Sequence, residues 1–318
     1  MRVGVVGAGG VGGFFAARLA RTGADVIVLA RGDHLAAIRE HGLRVRSADR
    51  ELVVHIEAAS DPREIGPCDA ILFCVKSYDA AEAAAELPAL VAGDTAVVAL
   101  QNGIDHLDVL ADAIGREHVL GGMAAVFAER VAPGIVVFSG GPETITFGEL
   151  DGSRTPRAER LLELCRHAGV AEDLSHDILS VMWRKLAFIC AQAGLTAVSR
   201  LPIGEIRDTP EAFDCYRTVV EEVLSVARAE GIDVRDGTAQ QLVEFAGTLE
   251  PDLFSSLHDD LVAGRRMELD ALHGAVVRRA RGHGLATPAC EAIHAFLAPW
   301  AARNAASYED AKRAAHVS

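Results

Sequence analysis

Positive charge is scarce in this chain. Its 318 residues carry 31 Lys and Arg against 45 Asp and Glu, a formal charge of −14 at neutral pH. A nucleic-acid backbone needs a basic face, so this balance excludes a nucleic-acid partner. A small anionic substrate would also be repelled, and any site for one must supply local cations. Cysteine pairing is absent too: the six cysteines, at 68, 74, 165, 190, 215 and 290, contain no C-x-x-C pair. They read as buried, reduced thiols, the state of a cytosolic chain, and the expected location is cytoplasmic. The 12 histidines show neither H-x3-H nor H-E-x-x-H spacing, so no dedicated metal site is expected. The first apolar run, Val3–Val6, passes at once into glycines and does not read as a signal peptide. No 18-residue apolar stretch is free of charge; the longest candidate, Ile178–Val198, is interrupted by Arg184 and Lys185, and no membrane partner is expected.

What is present is ordinary globular composition, with 50% apolar and 24% charged residues and 30 glycines. Length alone suggests two domains. Residues 1 to about 170 alternate short strands with helices. Val3–Val6, Ala24–Ala30, Ala70–Val75 and Thr95–Leu100 have the length of buried strands, with helices expected at Gly10–Thr22 and Asp79–Ala92. Leu43–Arg46 and Glu51–Ile56 read as a small hairpin. Val119–Val126, Ile135–Ser139 and Thr144–Phe147 read as further strands, with Pro133-Gly134 and Gly140-Gly141-Pro142 as turns. This alternation predicts a parallel sheet with helices on both faces. From about residue 176 the pattern is helical: Ile178–Val198, Ala212–Glu230, Leu257–Gly284 and Glu291–Asn304. Thr209-Pro210-Glu211 reads as a helix start and Gly231 as a stop. The expected domains are 1–172 and 173–318.

Gly7-Ala8-Gly9-Gly10-Val11-Gly12 is a G-x-G-x-x-G loop placed between a strand and a helix, the context in which this motif binds a dinucleotide. Gly7 permits the tight turn, Gly9 lets the backbone approach a pyrophosphate, and Gly12 lets the helix pack on the strand. Arg31 ends the second strand, where an NAD site usually carries an acid; a guanidinium there suits the 2′-phosphate of NADPH, the plain alternative being a surface arginine. Lys76 and Gln101-Asn102-Gly103 end two more strands at the edge where such sheets bind ligands, or simply terminate them. In the helical half, Lys185 interrupts an apolar helix, either as a functional ammonium or as a side chain reaching solvent. Glu268 falls on the face marked by Leu257, Leu261, Gly264, Leu272 and Ala275, either functional or paired with Arg265 one turn earlier.

Taken in order, the glycine loop, Arg31, Lys76, Gln101-Asn102-Gly103, Trp183-Arg184-Lys185-Leu186, Pro202-Ile203-Gly204-Glu205, and Ser255-Ser256 followed by Arg266-Met267-Glu268-Leu269-Asp270 resemble ketopantoate reductase (2-dehydropantoate 2-reductase) across nearly the whole chain. The resemblance implies an α/β Rossmann domain followed by an all-α domain like that of 6-phosphogluconate dehydrogenase, with the active site in the cleft between. It implies NADPH-dependent reduction of a small 2-oxo acid, most directly 2-dehydropantoate to pantoate in pantothenate biosynthesis. Lys185 matches the family's proton donor. Glu268 matches the glutamate that holds the nicotinamide ribose, Asn102 an asparagine between nicotinamide and substrate, and Ser256 a serine that hydrogen-bonds substrate. Related helical domains often carry a dimer contact, so a homodimer is one expectation; Trp300 and the alanine-rich C-terminal helix are either that surface or core.

The match fails at four positions. Ile189 and Ala193, one and two turns beyond Lys185, stand where the family has substrate-contacting asparagines; Ile203 and Leu253 replace two more. Gln192 and Thr196 lie near the lysine's face, and Gly194 is a candidate bend. An apolar pocket discriminates polar substrates weakly. Two alternatives therefore stand beside ketopantoate reduction: reduction of a more apolar oxo acid, and a non-catalytic NADPH-binding regulatory module.

Overall fold

The computed structural model describes residues 1–171 and 173–317. The chain divides into two units, one formed by Met1–Gln101 and Asp105–Val181, the other by Asn102–Ile104 and Met182–Ser318. Glu172, the last residue of the expected first domain, lies outside the described residues.

The first unit runs β1 (Arg2–Val6), α1 (Gly10–Ala20), β2 (Asp25–Leu29), α2 (Gly32–His41), β3 (Leu43–Arg46), β4 (Glu51–Val54), β5 (Glu57–Ala59), α3 (Pro62–Ile65), β6 (Ala70–Phe73), α4 (Ala80–Glu86), β7 (Ala96–Ala99), α5 (His106–Ile114), β8 (Val119–Ala132), β9 (Ile135–Glu149) and α6 (Pro156–His167). The strands form one sheet in the order β4-β3-β9-β8-β7-β6-β1-β2-β5. The sheet is mixed rather than wholly parallel: β3–β4 and β8–β9 pair antiparallel, and the remaining neighbours pair parallel. Central strands β6 and β7 are buried at every position, which explains why they read as unbroken apolar runs. The chain leaves β1 for β2 on one side and returns to β6 on the other, so the topological switch point lies between β1 and β6. Ligands of open α/β sheets bind at such a point.

Two local expectations are corrected. Gly140-Gly141-Pro142 is not a turn between strands. It lies within β9, where Val126 pairs with Glu143 and Ala128 with Phe138, so the residues between form a bulge opposite Phe127. Gly140 and Gly141 have φ of +96° and +87°, the conformation a bulge asks of glycine. The helix expected over Asp79–Ala92 is only α4, because Pro88 draws Leu87–Ala89 into a 3-10 turn.

The second unit contains α7 (Ile178–Ser199, from Met182 onward), α8 (Ile203–Asp208), α9 (Pro210–Ala229), α10 (Thr238–Gly247), α11 (Ser256–Val262), α12 (Ala275–Gly282) and α13 (Pro288–Val317). Among the described residues α7 is the one helix long and apolar enough to cross a membrane by length and composition, and 56% of its most apolar window is buried within the protein. Trp183 and Tyr216 are its unit's largest fully buried side chains. The buried Glu222 carboxylate on α9 accepts from the backbone N–H groups of Ala289 (2.9 Å) and Cys290 (2.8 Å), capping α13 from a neighbouring helix. Thr209 precedes Pro210 as expected, but its hydroxyl donates to the Glu205 carbonyl rather than capping α9.

The single helix expected over Leu257–Gly284 does not exist. Gly264 (φ +66°) ends α11, Arg265–Glu268 is irregular, and a π-helical turn at Asp270–Gly274 leads into α12. Gly194 does not interrupt α7. A Cβ there would stand 2.6 Å from His273 Nε2 and 3.0 Å from Ile293, so the glycine makes room for the π turn and α13.

His273 is fully buried, and its Nε2–H donates to the Cys190 carbonyl at 2.9 Å. Its Nδ1 has no partner among the described residues, so a second proton would be buried without an acceptor. Burial accordingly pushes the imidazole from 6.5 down to about 4, against the pull of the carbonyl bond. The stability this neutral ring contributes is complete above pH 6.5 and is lost as pH falls toward 4, about 3 kcal/mol in all. Denaturant melts at pH 7 and pH 4.5 should therefore show a smaller acid loss for His273→Gln than for the wild type; equal losses would remove His273 as the source.

Candidate active site

The glycine loop sits at the switch point because side chains are forbidden there. A Cβ on Gly7, whose φ is +95°, would stand 2.7 Å from the Val75 nitrogen at the end of β6. One on Gly12 would stand 2.1 Å from the Gly7 carbonyl, so α1 packs directly on the turn. Around Gly9, by contrast, nothing lies within 4 Å of such an atom. Gly9 is also the N-cap of α1, with no side-chain cap and no acidic residue in the first turn. Open space over uncapped, unopposed N–H groups suits a pyrophosphate, and the residues present fit a dinucleotide.

Sequence reasoning missed two features of this loop. Gly10 is a packing glycine: its Cβ would lie 2.1 Å from the Ala128 carbonyl of β8. His34 of α2 is buried and holds the loop from below. Its Nε2–H donates to the Ala8 carbonyl (2.7 Å), and its Nδ1 accepts from the Gly134 N–H (2.8 Å). Because a backbone N–H can only donate, this pair of bonds selects the neutral Nε2–H ring, and burial holds its pKa below the usual value. A histidine alone on α2 gave no sign of this pairing across 100 residues. Val11, partly buried on α1, packs against the first unit's core.

Arg31 is the N-cap residue of α2 and is exposed. Its guanidinium bonds Glu82 (2.7 Å) and Glu86 (2.8 Å) of α4, which the sequence did not foretell. Lys76 is exposed just beyond β6, at the start of a 3-10 turn.

Three other expected residues gather in the second unit. Lys185 is partly buried on α7, and its ammonium is pushed down to about 8 by burial, against the opposing pull of the Glu268 charge. Glu268 is only 7% exposed. It does not pair with Arg265, whose guanidinium bonds Asp260 at 2.7 Å. The break in the helix at Gly264 carries Glu268 off the helical face expected for it. Asn102 belongs to this unit with Gly103, whose φ is +98° and whose Cβ would stand 2.6 Å from the Ala271 carbonyl, three residues beyond Glu268. The Asn102-Gly103 turn and the Glu268 segment therefore touch.

Ser256 is exposed at the first position of α11, whereas Ser255 is buried and is the helix N-cap. Ser255 Oγ accepts from the His258 N–H (3.1 Å) and lies 2.8 Å from Thr196 Oγ1, which donates to the Gln192 carbonyl (2.7 Å). The Thr196 hydroxyl proton is thus committed, and Ser255 donates to it. Of the four apolar positions, Ile203 and Leu253 are adjacent: the Ile203 N–H donates to the Leu253 carbonyl at 3.1 Å. Gly204 packs on Pro251, where a Cβ would stand 2.8 Å away. Ala193 is buried on α7 and Ile189 partly so. Among the described residues no group of three His, Cys, Asp or Glu side chains could hold a metal ion. The six cysteines are free thiols, with Cys74 and Cys215 only partly buried.

The family model described as Ketopantoate reductase PanE/ApbA matches residues 3–152, and the one described as Ketopantoate reductase PanE/ApbA C terminal matches residues 177–300. The 2-dehydropantoate 2-reductase of Caulobacter vibrioides is 32% identical over 296 residues, covering 93% of this chain and 97% of that protein. The 2-dehydropantoate 2-reductase of Halobacterium salinarum is 33% identical over 290 residues, covering 91% and 95%. The crystal structure of a PanE/ApbA family ketopantoate reductase from Ralstonia eutropha JMP134 has a TM-score of 0.87 at 34% identity, covering 96% of this chain and 99% of that one. With both parts of the family matched and relatives aligned over nearly their whole length, the chain belongs to the ketopantoate reductase family of oxidoreductases acting on CH–OH groups.

Proposed function

We propose that this chain reduces a small 2-oxo acid with NADPH, with 2-dehydropantoate as the first substrate to test. In this reading residues 1–172 bind the cofactor and residues 173–318 carry the substrate and the proton donor. The observation that carries it is the partly buried Lys185 ammonium, whose pKa burial lowers to about 8 against the opposing pull of the buried Glu268. A module that only binds NADPH has no use for such a group.

Residues Gly7 to Gly12 present the backbone to the pyrophosphate, with Ala8 fixed through His34. Arg31 turns from Glu82 and Glu86 to the 2′-phosphate, and Lys76 adds a second cation at the same strand edge. NADPH, when bound, supplies the hydride that reaches C2 of the oxo acid. Lys185 holds its proton at the carbonyl oxygen, stabilises the negative charge that builds there, and delivers the proton to it. Glu268 works against burial to keep that ammonium charged; with a pKa of about 8, about nine-tenths of it is protonated at pH 7. Asn102 and Ser256 orient the substrate.

The direct test is NADPH oxidation with 2-dehydropantoate beside a panel of aliphatic and aromatic 2-oxo acids. Turnover of any of them supports the reductase; tight NADPH binding with no turnover would favour the regulatory module. For the reductive direction, kcat/KM should be level below pH 8 and fall about tenfold per pH unit above it. Glu268→Gln removes the charge that raises the lysine, so its alkaline limb should move to lower pH. Lys185→Ala should lose about 10²- to 10⁴-fold in turnover while NADPH still binds. An unchanged profile in Glu268→Gln, or near-normal turnover without Lys185, would take that residue out of the site.

Cofactor choice is read at Arg31. Arg31→Ala should weaken NADPH in a fluorescence titration by at least about tenfold and leave NADH nearly unchanged. Equal losses for both would show that the guanidinium does not read the 2′-phosphate.

A further inference from the structure

Lys185, Gln192 and Thr196 lie on one strip of α7. At 100° per residue they fall within about 20° of one line, with Ile189 about 40° to one side. Gln192 stands about 10 Å beyond Lys185 along the helix, and Thr196 about 6 Å further. The far end of the strip is closed, because Thr196 and Ser255 spend their hydroxyl protons on the Gln192 carbonyl and on each other. Gln192 is different. Its side chain is only 5% exposed, yet neither its amide nitrogen nor its amide oxygen has a partner among the described residues. A buried amide left unpaired at both ends is destabilising, so its presence on the lysine's own strip points to a ligand that completes it.

The amide also specifies that ligand. It offers a donor and an acceptor side by side. An alkyl group would satisfy neither, and a carboxylate would pair with the nitrogen while facing the oxygen with a second acceptor. A hydroxyl donates and accepts, and so fits both atoms. We propose that Gln192 is a specificity-determining residue that recognises a hydroxyl carried beyond the oxo carbon of the substrate, in place of the amides absent at Ile189 and Ala193. This rests on the reductase reading above and reverses the simplest inference from the four apolar positions: beside Ile189 and Ala193, Gln192 brings a buried, unpaired amide to the lysine's strip of α7.

The test uses the full chain with NADPH and two acids that differ by one oxygen, 4-hydroxy-3,3-dimethyl-2-oxobutanoate and 3,3-dimethyl-2-oxobutanoate. Wild-type kcat/KM should favour the hydroxy acid by at least tenfold. Gln192→Met keeps the side-chain length and removes both polar atoms. It should lower kcat/KM for the hydroxy acid at least tenfold, chiefly through KM, and leave the deoxy acid within twofold. The cofactor-free variant should melt at the wild-type temperature or higher, since an unpaired buried amide is removed; a structural hydrogen bond would give the opposite. Equal losses for both acids, or a preserved ratio, would overturn the role of Gln192 while leaving the reductase intact. If neither acid is turned over, the reductase reading fails instead, and calorimetric binding of the hydroxy acid decides about Gln192. Binding that is lost in Gln192→Met supports the subsite, and no binding to the wild type overturns it.

Discussion

The second unit is organised around an ammonium that burial disfavours. Taking Lys185 out of water lowers its pKa by more than the Glu268 charge restores, leaving a net drop from 10.5 to about 8, on the order of 3 kcal/mol against the charged form. Glu268 acts on it from a segment that is not helical. Gly264 ends α11, the next residues run irregularly, and the π turn restarts the helix in a different register. That turn in turn fits α7 only because Gly194 has no side chain where His273 lies. Two glycines thus shape the segment that carries Glu268 and its packing on α7.

The first unit meets a different constraint, closeness of backbones. Gly7 lies against the end of β6, Gly12 against Gly7, and Gly10 against β8, at distances that no Cβ tolerates. Only Gly9 looks onto open space. Packing rather than ligand contact thus explains three of these glycines, and the fourth is where an approaching phosphate has room. His34 adds a tie from α2 that joins the loop to the β8–β9 turn through Ala8 and Gly134.

Much of this was legible in the sequence, for identifiable reasons. The strands β1, β6 and β7 are buried on both faces and so appear as apolar runs, and a glycine loop between a strand and a helix has one common use. Less legible were features set by tertiary contact. Leu257, Leu261, Leu272 and Ala275 kept helical spacing across a segment that is not one helix: the first two lie on α11, Leu272 in the π turn and Ala275 on α12, and all four are buried. Gly140-Gly141-Pro142 has the composition of a turn but serves as a bulge, a distinction made only by the pairing of β8 with β9. The attraction between Lys185 and Glu268 joins positions 83 residues apart, and the unpaired amide of Gln192 is defined by what does not surround it.

The shortage of positive charge looks different once cations are placed. Arg31 does not stand alone in an acidic field; two carboxylates on α4 hold it. Arg31 and Glu82 are largely exposed and Glu86 partly so, and surface pairs of this kind are worth about 0–1 kcal/mol each. On the proposed reading, a 2′-phosphate displaces only these weak pairs and matches the guanidinium fork. The same carboxylates keep the arginine poised near the end of β2 in the meantime. Lys185 solves the opposite problem. Its charge is weakened by burial and kept available by one buried carboxylate, so a proton can leave it near neutral pH. An acidic protein can handle anions in this way with few cations, provided that one is exposed and easily exchanged and another is buried and easily discharged.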